Sequence, residues 1–193
     1  MRSLFQAAFV ALLFVSLNPF VARAEDTPSL HSLEATNSAW STVAYLHGTG
    51  KQSGVGLGFQ TPLLWETLGL RVDYSFDRLG IPGNDPLTFS VLSAGVKIQL
   101  AKASTLNLFP YLLENFNFFF PREAETTGST VGFETCYGLE FRHIIEIWGN
   151  RDVVHAGFIE VGLGASDLRA RAERGGDSIN DGLIARLGFR RFF

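Results

Sequence analysis

The sequence contains very little sulfur and no concentrated block of charge. Its 193 residues include one cysteine and one methionine, so the chain cannot form an internal disulfide, and Cys136 alone cannot build a metal site. We expect Cys136 to be a small buried residue. No run of basic residues occurs and the net charge is −3, which argues against nucleic acid as a partner. Beyond the N-terminal region, no apolar run is long enough for a transmembrane helix.

The N-terminal residues have the pattern of a secretory signal. Arg2 supplies a positive charge, an apolar core extends from Ala7 to Leu17, and Ala22–Ala24 has the small residues that signal peptidase requires. An Asn-Pro pair interrupts the apolar run before the ~20 residues that a membrane-spanning helix needs. We therefore predict a signal peptide over residues 1–24 and a single exported domain over residues 25–193.

What the sequence does contain favours β-sheet. Its 20 glycines and 18 phenylalanines are a poor composition for helices and a good one for sheet. About eight segments alternate apolar with polar residues, each ~9–13 residues long, which is the length of a tilted transmembrane strand. In the clearest one, Leu68 to Phe76, apolar residues alternate with Gly69, Arg71, Asp73 and Ser75. In the other regular segments, the alternation is clearest over residues 54–60, 92–100, 132–142, 159–164 and 182–193.

Two further segments are less regular. The first, near Ala39 to His47, lacks a clean period, so its faces are not assigned. The other, near Leu108 to Phe118, changes phase between Leu113 and Phe116, which predicts a bulge. Together the segments predict an all-β fold, an eight-stranded antiparallel up-and-down barrel. The turn-rich stretches predicted to be extracellular are residues 48–52, 78–86, 121–130 and 166–180.

The composition of the two strand faces indicates which face meets lipid. A soluble calyx turns its apolar face inward and its charges outward. In this chain one face is mostly Gly, Ser and scattered charges, whereas the other is continuous Leu, Val, Phe and Tyr. A water-facing exterior would carry more Lys and Glu. We therefore predict a transmembrane barrel with the apolar face outward and the polar face in a narrow lumen.

This orientation places charged residues of both signs inside the barrel. Burial of an unpaired charge is costly, so we expect these residues to pair. Folding of the last two strands about a loop centred near Glu173 brings Glu160 opposite Arg186. Because side chains can fill an eight-stranded barrel, we predict a plug of ion pairs; an ion-selective lining would need a wider barrel. The predicted interior charges are Arg71, Asp73, Lys97, Glu134, Glu140, Arg142, Glu160, Arg186 and Arg190.

The last segment ends in a way that is typical of one protein class. Leu187, Phe189 and Phe193 fall in one alternating phase, with Arg190 in the other. The pattern resembles the closing strand of Gram-negative outer-membrane β-barrels, in which it helps the barrel-assembly machinery to recognise its substrates. The resemblance implies that Phe193 is an assembly signal. Arg191 departs from the pattern, and we expect it at the periplasmic rim, where a long cation can reach water.

At the level of class, nearly the whole chain after the signal peptide resembles the small OmpA/OmpX-type or opacity-type barrels. The resemblance implies an outer-membrane location, contact with outer-membrane lipid and lipopolysaccharide, no cofactor, and a structural or cell-surface interaction role. Arg169, Arg171 and Arg174 are groups that lipopolysaccharide phosphates would attract. Neighbouring acidic residues balance these arginines, so we favour an ordinary solvated loop.

Two other functions stay open, a lipid A-modifying hydrolase and a narrow passive channel. The segment Gly138 to His143 superficially resembles the strand that carries the base in outer-membrane lipid A deacylases, where a serine follows the histidine by two positions. That position is Ile145 in this chain, so the strand supplies no hydroxyl for the histidine to activate. His143 is therefore a weak catalytic candidate. The other histidines share no metal-like spacing, and the sequence contains no phosphate loop.

Aromatic residues are predicted to form two girdles at the headgroup levels of the membrane. A sugar-binding platform is the rival interpretation, but girdles are sufficient to explain these side chains. The predicted girdle residues are Trp40, Tyr45, Trp65, Tyr74, Phe109, Tyr111, Tyr137, Trp148 and Phe193.

Overall fold

The computed structural model describes residues 35–81, 83–100, 107–121, 126–144, 154–171, 176 and 178–193. The predicted signal peptide lies outside them, as do Ile145, Trp148 and Arg174. In the described part of the chain, no helix is both long and apolar enough to cross a membrane. The elements are a 3-10 helix η1 (Ala35–Ser38) and strands β1 (Ser41–Gly48), β2 (Gln52–Gln60), β3 (Leu68–Leu79), β4 (Leu87–Gln99), β5 (Leu108–Phe120), β6 (Thr126–Thr127), β7 (Val131–Ile144), β8 (Val154–Ser166), β9 (Arg169–Ala170) and β10 (Gly182–Phe192).

Eight of these strands form one closed antiparallel barrel in the order β1-β10-β8-β7-β5-β4-β3-β2. Closure comes from β1, which pairs with β2 on one side and with β10 on the other. No barrel strand therefore presents a free edge. The short strands β6 and β9 pair with each other and join the two longest loops. The predicted eight-stranded, antiparallel, up-and-down barrel is confirmed.

Alternation along the strands separates two environments. On β3, every second residue from Gly69 to Leu79 is buried, and the residues between them are exposed. The outward side chains form a hydrocarbon belt, in which Phe76, Leu163 and Leu183 are 61%, 64% and 64% exposed. A soluble calyx would bury these side chains. The apolar face thus points outward, as in transmembrane barrels.

Inward glycines make room for large side chains in the lumen. A Cβ atom added at Gly56 would collide with the ring of Tyr45, and one added at Gly138 would collide with the ring of Tyr111. Each ring lies across the glycine of a neighbouring strand, because only a residue without a side chain leaves that space. Glycine on the inward face is thus a packing requirement of the narrow lumen.

The observed strand pairing and burial test two expectations about the less regular strands. The predicted bulge in β5 is wrong, because this strand pairs without interruption with β4 and β7. Leu113 points inward although it is apolar, and this inward leucine produced the false change of phase in the sequence. β1, whose faces the sequence left unassigned, turns Val43 and Tyr45 inward.

Three residues of the predicted girdles lie elsewhere. Tyr45, Phe109 and Tyr111 are buried in the lumen, so their assignment to the membrane interface is wrong. An aromatic ring suits either place, because its face also packs against a buried cation. The girdle residues that are exposed are Trp40, Trp65, Tyr74, Tyr137 and Phe193.

The end of the barrel that carries the β6–β9 ladder is closed by an apolar cluster, here called the loop-end cluster. It contains inward residues of β3, β4 and β5 together with residues of the loops that cover them. The opposite end holds η1, which leads into β1. The loop-end cluster consists of Leu79, Ile81, Leu87, Phe89, Val91, Phe119, Leu168, Ala170 and Ile179.

Candidate functional site: the charged interior of the barrel

Between the two ends, the lumen is filled with ionisable side chains. Among the described residues, five cations and five carboxylates are buried, so the formal charges balance. Nine of these are the predicted interior charges, and the tenth is Asp77. Asp77 is the next inward position on β3 after Asp73 and Ser75. It was missed because the sequence pattern ended that strand at Phe76. The buried charged residues are Arg71, Asp73, Asp77, Lys97, Glu134, Glu140, Arg142, Glu160, Arg186 and Arg190.

Glu160 on β8 is the centre of one group. Its Oε1 accepts hydrogen bonds from Arg71 Nη1 and from the Tyr111 hydroxyl, each at 2.6 Å. Its Oε2 accepts from Arg186 Nη1 at 3.3 Å. Arg71 also donates from Nε to Asp73 Oδ1 at 3.0 Å. Because β3 lies opposite β8 in the barrel, the contact between Arg71 and Glu160 crosses the lumen.

Arg186 connects this group to the next carboxylate. Arg186 and Glu160 occupy directly paired positions on β10 and β8, which is the register that the sequence predicts. Arg186 Nη2 also donates to Glu134 Oε2 at 2.7 Å. The Cys136 thiol lies between them, with Sγ 3.0 Å from Glu134 Oε1. Arg186 thus serves two carboxylates, one more than the predicted pair.

Glu140 on β7 is the centre of a second group. Its Oε2 lies 3.1 Å from Lys97 Nζ and 2.9 Å from Arg190 Nη1, and its Oε1 accepts from Arg142 Nε at 2.5 Å. Arg142 Nη1 then donates to Thr36 Oγ1 and Asn37 Oδ1, both at 2.7 Å. These bonds hold the segment before β1 across the end of the lumen.

Aromatic rings occupy the space between the charged groups. Lys97 Nζ lies 4.2 Å from the centre of the Tyr111 ring, and Arg142 Cζ lies 3.9 Å from that of Phe109. Arg71 and Arg186 both approach Tyr45, at 5.4 Å and 5.2 Å. Such contacts stabilise a buried cation without adding a charge. The aromatic residues are therefore part of the site. The sequence signal that could have found Tyr45 and Tyr111 is the inward glycine that faces each ring from the neighbouring strand.

Asp77 forms a separate polar cluster near the loop end. His47 Nε2 lies 2.8 Å from Asp77 Oδ1, and Gln52 Nε2 donates to Asp77 Oδ2 at 2.6 Å. Ser75 Oγ donates to the same carboxylate at 2.9 Å. A catalytic serine would instead donate to the imidazole. The cluster therefore has a base and an orienting carboxylate but no activated nucleophile.

The other candidate residues are His143 and the loop arginines. The backbone of His143 pairs with that of His155 between β7 and β8, whereas the His143 side chain lies outside the described part of the structure. Arg169 is exposed on β9. In the described ranges, no group of three or more His, Cys, Asp or Glu residues could hold a metal ion.

Charged side chains fill the middle of the lumen. The side chains of Arg71, Lys97 and Glu160 are wholly inaccessible to solvent, although they lie in the lumen. A water-filled channel would leave such groups hydrated. The loop-end cluster lies on one side of these residues, and the Arg142 contacts lie toward the opposite end of the lumen.

Comparison with known proteins shows similarity in fold to two transmembrane barrels. A structure from the de novo design of transmembrane β-barrels is 16% identical over 81% of this chain and 96% of that chain, with a TM-score of 0.47. The outer-membrane protein OprG from Pseudomonas aeruginosa is 10% identical over 84% of this chain and 99% of its own, with a TM-score of 0.45. No protein-family model and no curated protein matches the sequence.

Proposed function

We propose that the protein is an outer-membrane β-barrel with a structural or cell-surface interaction role and a lumen closed by its own side chains. The observation that carries this proposal is the balanced set of buried charges, whose central members are inaccessible to solvent. Burial of Arg71, Glu140 and Glu160 is tolerated because each has partners of opposite charge. An ion passing through the lumen would have to break those pairs.

The membrane location is supported by the outward face. Leucine, valine and aromatic side chains cover it, and Trp40, Phe59 and Phe193 group together at the end where the chain terminates. The Phe193 backbone N–H also donates to the Trp40 carbonyl oxygen at 3.0 Å, so the terminal residue continues the β1–β10 ladder. In the class that the sequence resembles, an aromatic residue at this position helps the barrel-assembly machinery to recognise its substrates. Outer-membrane lipid and lipopolysaccharide would then be the surrounding partners.

Conductance in planar lipid bilayers tests the proposal. The wild-type barrel should insert without producing stepwise currents, because its lumen has no continuous water path. Heat-modifiable gel mobility would show that the inserted protein is folded. Stepwise currents from the wild type would contradict the closed lumen and favour the passive channel.

The hydrolase alternative can be examined in the same vesicles. Lipid A is incorporated, and its acyl chains are analysed by mass spectrometry after incubation with the wild-type barrel. We expect unchanged lipid A, because Ser75 donates to Asp77 and not to His47. Loss of an acyl chain that is abolished by H47A would contradict this expectation.

A further inference from the structure

One charged residue breaks the hydrocarbon belt in the middle of a strand. The uninterrupted register of β5 turns Glu114 outward, at the seventh of its 13 positions, and its side chain is exposed. In the described part of the belt, the outward arginines Arg78 and Arg191 lie next to strand ends. Strand ends reach the headgroups, but the middle of a strand faces acyl chains. Glu114 is thus placed where water is absent.

The neighbour of Glu114 on the next strand is also polar. Thr135 on β7 is directly paired with Glu114, and its Oγ1 donates to Glu114 Oε2 at 2.6 Å. Both side chains are exposed. The structure gives the second carboxyl oxygen, Oε1, no bond within the described residues. In lipid, polar atoms without a partner are unfavourable, and intramembrane ionisable residues commonly pair with one another.

The surrounding surface has a groove and a ridge. The groove, of about 430 Å³, lies over β3, β4 and β5, and its lining includes Ala94, Gly95 and Glu114 together with Phe133 of β7. On the other side of the Glu114–Thr135 pair, Tyr137 and Leu163 of β7 and β8 project outward and are 54% and 64% exposed. A concave and a convex surface therefore flank one polar pair.

We propose that this wall, formed by β4, β5, β7 and β8, binds a second copy of the chain in the same membrane. The two-fold axis would run along the membrane normal between β5 and β7. Such an axis exchanges the two sides of the wall, as in any isologous interface. It therefore places Tyr137 and Leu163 of the second copy over the groove that Ala94 lines.

The same axis pairs the polar groups. Directly paired residues on neighbouring strands lie about 4.8 Å apart, and a strand tilt of about 40° makes their depths differ by roughly 3 Å. Rotation by half a turn thus brings Glu114 of one copy opposite Thr135 of the other. Each Thr135 hydroxyl, which donates to its own Glu114, then also lies opposite the Glu114 carboxyl of the other copy. The two carboxyls and two hydroxyls thus gather at the axis, where they are shielded from the acyl chains.

Energy transfer between labelled copies in phosphatidylcholine vesicles tests the interface. A cysteine introduced by G50C carries the dye, because Gly50 is exposed with open space around it, whereas Cys136 is buried and protected from labelling. Wild-type transfer should fit a dimer and persist on dilution with lipid. E114L should raise the apparent dissociation constant at least tenfold, since leucine fits the belt but cannot hydrogen-bond. T135V should weaken association less.

T42V is the matched control, because Thr42 is an exposed hydroxyl on β1, on the opposite wall of the barrel. It should associate as the wild type does. E114L replaces a polar by an apolar side chain on the lipid face, so its folding is favoured, and gel mobility would show it. Wild-type transfer that falls to the random level on dilution, or E114L association equal to the wild type, would overturn the proposal. Failure of the wild type to insert would instead contradict the membrane location on which the proposal rests.

Discussion

The loop-end cluster and the charged interior occupy the same barrel, yet they are built on opposite principles. The inward positions of β3 pass from Arg71 and Asp73 to Asp77 and then to Leu79, so a single strand contributes to both. The loop-end cluster packs apolar side chains that need no specific partner. The charged interior is stable only while its ion pairs stay together. Loss of one side chain therefore leaves a cavity in the loop-end cluster, but it leaves a charge without its partner in the charged interior.

This difference should be largest at Glu160. E160A removes the carboxylate that Arg71, Tyr111 and Arg186 share and leaves two buried guanidinium groups with less counter-charge. We expect a loss of about 3–5 kcal/mol in the free energy of unfolding, measured by urea denaturation in lipid vesicles. R186A should also be destabilising, since Glu134 and Glu160 then lose a donor.

The E160A/R186A double variant sharpens this prediction. It should cost less than the two single changes combined, by roughly 0.5–3 kcal/mol, because it removes both charges of one pair. Strict additivity of the unfolding free energies would mean that the two side chains do not interact. It would contradict either the register of β8 with β10 or the inward placement of the polar face.

A smaller effect is expected in the loop-end cluster. L87A replaces a fully buried leucine and leaves a cavity, but it leaves no charge without a partner. We expect a loss of about 3 kcal/mol in the same denaturation assay. L87M, which conserves volume, should lose less than about 1.5 kcal/mol. A loss for L87M as large as that for L87A would mean that this end of the barrel depends on more than packing.

The smallest effect is expected from salt. Raising the ionic strength from about 0.1 to 1 M shortens the Debye length from about 10 to 3 Å, which weakens pairs that solvent reaches. Arg71, Glu160 and Lys97 are inaccessible, so wild-type stability should change by less than about 0.5 kcal/mol. The measurement is urea denaturation at both salt concentrations, with L87A as the comparison. A marked loss of wild-type stability at high salt would show that water reaches the interior pairs.

Much of this architecture could be predicted because alternation is a local property. A polar residue at every second position placed Arg71 and Lys97 in the lumen without knowledge of their partners. Alternation does not identify the inward face where both faces are apolar, as at Leu113 in β5 and throughout the loop-end cluster. It also fails for Tyr45 and Tyr111, since an aromatic ring is suited to a girdle and to the lumen alike.

The partners themselves could be predicted only along one hairpin. Glu160 and Arg186 lie on neighbouring strands, so the register of that hairpin was enough to pair them. Arg71 and Glu160 are separated by 89 residues, and their contact crosses the lumen. Strand tilt and barrel closure decide such contacts, and neither is encoded in any single segment.

The ladder between β1 and β10 has a consequence for the order of assembly. Ser41 pairs with Phe192 and Gly48 with Ala185, so this seam joins the two ends of the described chain. Loop-closure entropy must be overcome before such distant partners gain anything from meeting, which makes folding slow in topologies of this kind. Until the seam forms, β1 and β10 are both open edges that can pair with other chains. Pairing of the final strand with β1 therefore closes the barrel and removes the last edges through which the chain can aggregate.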